Sequence, residues 1–165
     1  VYHIVDGKIV RQSDDEIQGD QAFRYTTTYP YKGPKSYYSG GGGLCSTAED
    51  YYRFCQMLLN NGRVGKHRLL SRKSVELMSV PHVAYPSTTL EQGGMGLGLG
   101  VTGRPGIVHE LGSAGAYGWG GFFYTGFSID PQEDLIAITL AQLHPAGNVD
   151  WHQRIYVLTY QAIDD

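Results

Sequence analysis

The stretch Gly112 to Ala141, GSAGAYGWGGFFYTGFSIDPQEDLIAITLA, decides how this chain is read. Tyr117 to Ile129 and Leu135 to Ala141 are two runs rich in aromatic and β-branched residues, joined by Asp130-Pro131-Gln132-Glu133-Asp134. Such runs, separated by turn formers, predict an antiparallel hairpin. Leu135-Ile136-Ala137-Ile138-Thr139-Leu140-Ala141 shows no polar alternation, which predicts cover on both faces of its strand. Glycine is the second signal, with 23 residues in 165 and 13 of them between Gly93 and Gly126. A glycine in a strand weakens it unless the backbone must bend or be approached closely. That density points to a site built from main chain. Trp119-Gly120-Gly121 stands at the start of a hairpin strand, where two glycines strip side chains from both faces. A substrate carbonyl can then reach the backbone, with the N–H of Phe122 facing a developing oxyanion. Spacing alone also fits a core aromatic at Trp119 with glycines that make room for it.

Upstream of this stretch, Leu97, Leu99 and Val101 alternate with glycine or Thr102, a strand pattern, and Ile107-Val108 follows the Arg104-Pro105-Gly106 turn. Residues 83 to 95 read as loop. A helix is predicted from a capping box, Ser46 with Glu49, followed by an apolar stripe at Tyr51, Phe54, Cys55, Leu58 and Leu59. Asn60-Asn61-Gly62 supplies its stop. A second helix starts after Ser71, buries Val75 and Met78, and ends before Pro81. Val1 to Ile4 and Lys8 to Val10 flank Asp6-Gly7, a hairpin turn. Residues 11 to 43 form a long excursion carrying Tyr25, Tyr29, Tyr31, Tyr37 and Tyr38, which either packs over a site or runs along the surface. Downstream, a last helix begins at Asp150, with Gln153 at the capping-box position and Ile155, Leu158 and Ala162 on its buried face. Helices, then antiparallel strands, then a helix give an α+β fold class.

Composition removes several functions. A net charge of −3 with scattered Lys and Arg leaves no footprint for nucleic acid or anionic lipid. Leu135 to Ala141 is far too short an apolar run to span a bilayer. Cys45 and Cys55 make neither a disulfide framework nor a metal pattern, and Cys55 reads as a buried free thiol. The histidines lack metal-ligand spacing, so no metal or other cofactor is expected; His67, His82, His144 and His152 read as surface residues. The search for a nucleophile is equally negative. No serine has lysine three residues on, the spacing that sets an amine one helical turn from a hydroxyl. Gly112-Ser113-Ala114-Gly115 only partly resembles a nucleophile elbow, since Leu111 stands where the first glycine belongs; Ser113 paired with His109 is the weak candidate it offers.

The chain resembles the β-lactamase-related serine hydrolases, which include class C β-lactamases, penicillin-binding esterases and D-aminopeptidase-like enzymes. Gly40 to Tyr51, GGGGLCSTAEDY, is similar to the family's GGGGL-x-STA-x-DY lead-in to a helix. Arg68 to Met78, RLLSRKSVELM, resembles its RLLSPKTVELM segment, and Gly96 to Val101, GLGLGV, its GLGFGV strand. Tyr117-Gly118-Trp119-Gly120-Gly121 and Ile129-Asp130-Pro131 are similar to the esterase-like branch, whose third catalytic motif is Trp-Gly-Gly rather than Lys-Thr-Gly or His-x-Gly. The resemblance covers residues 38 to 163, in order and at similar spacing.

It implies the C-terminal portion of a β-lactamase/transpeptidase-like fold, an antiparallel sheet flanked by helices. By the same resemblance, Trp119, Gly120 and Gly121 form one wall of the acyl pocket, Phe122 supplies an oxyanion-hole amide, and Tyr117 lines the mouth. The family's Ser-x-x-Lys helix and Tyr-x-Asn loop are absent, so residues 1 to 165 read as one C-terminal segment of a domain whose catalytic half lies upstream. The expected function is acyl-serine hydrolysis of a small ester, with amides and β-lactams as further substrates, and no activity in the chain alone. Its expected partner is the upstream half of the same fold, on the same or a second chain. Without that half, cover for the apolar strand is expected from rearrangement, self-association or a second chain. The alternative is a non-catalytic module that holds a peptide or sugar with the tyrosine-rich segment and Trp119.

Overall fold

The computed structural model describes residues 1–14, 16–19, 24–34, 36, 38–42, 44–105, 111–146 and 149–164. Asp6 and Gly7 both take positive φ, 49° and 74°, the geometry of a primed two-residue turn. They join β1 (Tyr2–Val5) to β2 (Lys8–Arg11), as the sequence predicts. The excursion that follows holds the short pair β3 (Gln18–Gly19) and β4 (Arg24–Tyr25), then a single helical turn, α1 (Tyr29–Lys32).

Helix α2 (Ala48–Leu59) starts one residue later than the predicted capping box. Thr47, not Ser46, is the cap: its hydroxyl accepts from the Asp50 amide at 3.2 Å. Asp50 takes the position three residues on, and Glu49 turns to Arg53 instead, at 2.6 Å. The stop is as read, with Asn61 and Gly62 at φ of 52° and 88°. Cys55 and Leu58 are buried as expected, but Phe54 is exposed and Met57, outside the predicted stripe, is buried. The strands β5 (Arg63–Val64) and β6 (His67–Arg68) lead to α3 (Arg72–Met78), capped by Ser71, whose hydroxyl accepts from the Ser74 amide at 2.9 Å. Val75 is buried beneath it.

Residues 83 to 95 are not plain loop. They contain β7 (Val83–Ala84), a 3₁₀ turn at Leu90–Gln92 and β8 (Gly93–Met95). With β9 (Gly100–Thr102), β10 (Tyr117–Gly120), β11 (Gly126–Asp130) and β12 (Leu135–Thr139) they build a six-stranded antiparallel sheet, ordered β12-β11-β10-β9-β8-β7. The expected strand at Ile107-Val108 lies outside the described residues. The run Tyr117 to Ile129 is corrected from one strand to two. The Gly121 amide donates to the Thr125 carbonyl at 2.7 Å and Tyr124 takes φ of 67°, which folds the run back on itself. The last helix, α4 (Trp151–Gln161), closes the fold, and among the described residues no helix is long and apolar enough to cross a membrane.

Part of the cover for β12 comes from within the chain. Ile136 and Ile138 pack against the core cluster to which Cys55 and Leu58 of α2 belong, while Ala137 and Thr139 border a cleft together with His152, Ile155 and Tyr156 of α4. The cover is incomplete, since each residue of β12 is half-buried and the strand lies at the edge of the sheet. The predicted buried face of α4 is also corrected. Leu158 is 64% exposed and Ala162 is exposed, while the sheet is met by His152, Ile155, Tyr156 and Tyr160. No capping box forms at Asp150, which pairs with Arg154 at 2.9 Å.

One buried carboxylate ties these layers together. Asp130, 0% exposed, accepts from the amides of Ser113 (3.2 Å), Gln132 (2.9 Å) and Glu133 (3.4 Å) and from the Tyr160 hydroxyl (2.7 Å). Burial and the carboxylate push the Tyr160 phenol upward, keeping it a donor. Replacing Asp130 with Ala leaves these donors unmet in a dry site, and urea unfolding is expected to show a loss of about 2–4 kcal/mol.

Burial raises the Cys55 thiol to about 11 and Tyr117 to about 12. Both groups ionise at lower pH in the unfolded chain, so the stability they add is whole below pH ~9 and falls as pH rises through the folded values. Native alkylation at pH 8 is expected to label exposed Cys45 and spare Cys55, with Cys55 reacting only in denaturant.

Candidate active site

The site is assembled on the hairpin between β10 and β11. The chain enters β10 from a turn in which the Ala116 amide donates to the Ser113 carbonyl at 3.1 Å and the Thr102 amide to the Ala116 carbonyl at 2.7 Å. This seats Tyr117 opposite both Val101 and Ile129 in the ladders. Tyr117 is 4% exposed, and its side chain packs in the core with Cys55. Trp119, two residues on, is 50% exposed. Its ring edge and the Tyr85 hydroxyl occupy the space beside Gly100, where a Cβ would stand 3.4 Å and 2.6 Å from them. Glycine does make room for Trp119, but the indole is a half-open wall rather than a core aromatic.

The neighbouring glycines differ in what they are for. A Cβ on Gly118 would run into the Phe127 carbonyl of the paired strand, so the sheet itself demands glycine there. On Gly120 a Cβ would meet only the Thr125 carbonyl, at 3.8 Å, an ordinary contact. Gly120 has no positive φ either. Among the described residues nothing in the packing requires a bare backbone at that position, and the residue is exposed. Gly121 is intermediate: a side chain there would strike the Thr125 hydroxyl. The ladder between β10 and β11 ends at the pair Gly120 and Gly126, and Phe122 sits in the turn beyond it, 46% exposed.

Two histidines expected at the surface are instead part of this region. The His144 ring stacks on Phe122 at 3.8 Å and 27°, and its Nδ1 lies 3.0 Å from the Phe122 carbonyl oxygen. His152 stacks on Tyr124 at 4.2 Å and bonds the Tyr124 carbonyl at 3.0 Å. Tyr25 brings the long excursion onto the same turn, edge-on to Phe122 (5.1 Å), Phe123 (5.7 Å) and His144 (5.5 Å). The sequence held no signal for these contacts beyond the aromatic density of the segments. They turn Tyr25 toward this turn, while Tyr29 and Tyr38 are exposed and Tyr37 lies outside the described residues. A shallow cleft opens beside Trp119 and Gly120, bounded by Gly126, Ala137, His152 and Tyr156.

Ser113 is a buried pin. Its amide goes to Asp130 and its hydroxyl donates to Glu133 at 3.3 Å, while His109 lies outside the described residues. Among the described residues no cluster of His, Cys, Asp or Glu could hold a metal ion. The site therefore offers an accessible main chain, an aromatic wall and a set of fixed carbonyls.

The family described as Beta-lactamase matches residues 11–158. This chain belongs to the beta-lactamase family. Two curated relatives from Mycobacterium tuberculosis, Protein Rv1367c (strain ATCC 25618 / H37Rv) and Uncharacterized protein MT1414 (strain CDC 1551 / Oshkosh), are each 37% identical over 132 residues. That alignment covers 73% of this chain and 33% of each relative, so the chain spans about a third of their length. Among solved structures, "EstCE1, a hydrolase with promiscuous acyltransferase activity" superposes with a TM-score of 0.77 at 22% identity, over 96% of this chain and 42% of that one. The antiparallel sheet and flanking helices of this beta-lactamase family member thus follow the β-lactamase/transpeptidase-like arrangement.

The two glycines make a test. Gly118→Ala is expected to cost more than about 2 kcal/mol because backbone must shift, whereas Gly120→Ala is expected to be neutral or stabilising by about 0.5 kcal/mol. Thermal unfolding of both variants reads the difference; equal losses would place Gly120 among the structural glycines.

Proposed function

We propose that this chain is the C-terminal portion of a serine hydrolase that works through an acyl-serine intermediate. In this reading Trp119, Gly120 and Gly121 wall one side of the acyl pocket, and the Phe122 amide is one of the donors to the oxyanion. The observation that carries it is Gly120: an exposed glycine with no packing reason, among the described residues, for its missing side chain, next to a half-open indole and a turn. A bare strand edge there admits an acyl oxygen to the backbone, and one preorganised donor is worth about 10²–10³ in turnover.

Acylation also needs a hydroxyl and a base within hydrogen-bond reach of the same carbonyl. The 165 residues contain neither Ser-x-x-Lys nor Tyr-x-Asn, and they correspond to 33% of the length of the relatives. The nucleophile and base therefore come from polypeptide outside these residues, and the chain by itself is inactive. Carboxyl esters are the first substrate class, ahead of amides and β-lactams. Trp-Gly-Gly replaces the lysine or histidine motif that would hold a β-lactam carboxylate, leaving an apolar wall suited to an uncharged acyl group.

The full-length polypeptide is expected to hydrolyse nitrophenyl esters and to take up a fluorophosphonate on the serine of a Ser-x-x-Lys motif. Alanine at that serine should lower kcat/KM by at least about 10³, and the 165-residue chain should show neither activity nor adduct. Undiminished hydrolysis after the serine is removed would overturn the mechanism.

A further inference from the structure

An oxyanion donor works only if it is held still, and the residues before Phe122 are poorly suited to hold it. Gly120 and Gly121 carry no side chains to pack, so beyond the turn's own backbone bonds, from the Gly121 amide to the Thr125 carbonyl and from the Tyr124 amide to the Gly121 carbonyl, the ring and carbonyl of Phe122 have to be fixed from elsewhere. The segment after β12 does this. The Leu143 amide donates to the Phe123 carbonyl at 3.0 Å, and His144 Nδ1 reaches the Phe122 carbonyl at 3.0 Å. Consecutive carbonyls of the turn are thus gripped by consecutive residues. A carbonyl only accepts, so Nδ1 must carry the proton. The same imidazole lies flat against the Phe122 ring, which fixes the residue through both its main chain and its side chain.

The segment is itself anchored. The Tyr2 amide donates to the Gln142 carbonyl at 2.7 Å and the His144 amide to the Tyr2 carbonyl at 2.8 Å, while Gln12 Nε2 donates to the His144 carbonyl. The N-terminal hairpin therefore braces the segment, and the segment braces the turn. We propose that His144 is a positioning residue for oxyanion stabilisation, setting the Phe122 amide through its hydrogen bond to the Phe122 carbonyl and its stack on the Phe122 ring. This inference rests on the acyl-serine reading above, and it assigns to this site a residue whose role is geometric.

The test uses the full-length polypeptide, with nitrophenyl ester turnover and inhibition by an alkylboronic acid, which forms a tetrahedral adduct on the serine. His144→Phe keeps a ring and loses the donor, His144→Ala loses both, and His144→Asn returns an N–H near the place of Nδ1. Both H144A and H144F are expected to lower kcat by about 10- to 100-fold, as small misplacements of catalytic groups do. KM should stay within about 3-fold and the boronate Ki should rise in step with the loss in kcat/KM. H144N should recover most of kcat relative to H144A. If wild type is active and H144A and H144F keep their kcat within about 2-fold, the positioning role is wrong and the hydrolase reading stands. If all the variants fall together with matching losses of Tm, His144 is merely structural and the inference is again overturned. A wild-type polypeptide with no ester turnover and no serine adduct removes the hydrolase reading and this inference with it.

Discussion

Asp130 ends β11 with a carboxylate sealed from water, and separate parts of the chain converge on it. The amide of Ser113 brings the lead-in to β10, the amides of Gln132 and Glu133 shape the turn to β12, and the Tyr160 hydroxyl secures α4. A buried charge is tolerated only when its hydrogen bonds are supplied in full, so each of these elements is constrained by the others. The placement of β10 relative to β11 follows from this knot at one end and from the Gly118–Phe127 approach at its middle. What remains at the far end, from Gly120 to Thr125, is the part of the hairpin left available for contact with something other than the sheet.

That division explains why much of the fold could be read from residues while the site could be read only in part. The primed turn at Asp6-Gly7, the cap at Ser71 and the stop at Asn61-Gly62 are local devices, each deciding its own backbone. The cap of α2 lies one residue beyond the predicted Ser46 because Ser46 and Thr47 are both good caps and both have an acid three positions on. The break within Tyr117 to Ile129 has no local turn signature, because Tyr124 supplies the positive φ, an uncommon choice for an aromatic residue. On α4, leucine and isoleucine suggested one face, yet the helix lies over a sheet face of Gly126, Ser128 and Ala137. Small residues there leave room for imidazole and phenol rings, and periodicity in aliphatic residues cannot register that.

At the site, Trp119-Gly120-Gly121 stood out from spacing and resemblance, but the distinction between Gly118 and Gly120 depends on what lies across the strand. So does the fate of Tyr117, which lies in the core beside Cys55 while Trp119, two residues on along the same face, is half exposed near the end of the strand. His144 and Tyr25 are far from the Trp-Gly-Gly motif in sequence and reach it only through tertiary packing. The beta-lactamase family membership supplies the frame, and the side-chain geometry shows which neighbours steady the turn.

The edge position of β12 bears on how this polypeptide behaves as a material. Among the described residues no strand pairs with its outer side; β1 meets the chain only past its end, through the bridge of Tyr2 to Leu143. Leu135 to Thr139 carries neither charge nor proline, the devices that discourage edge-to-edge stacking. That uncovered rim is a template on which a second copy can pair when the chain is concentrated. A lysine introduced on that outer rim would be a rational first step toward a concentrated, monodisperse sample.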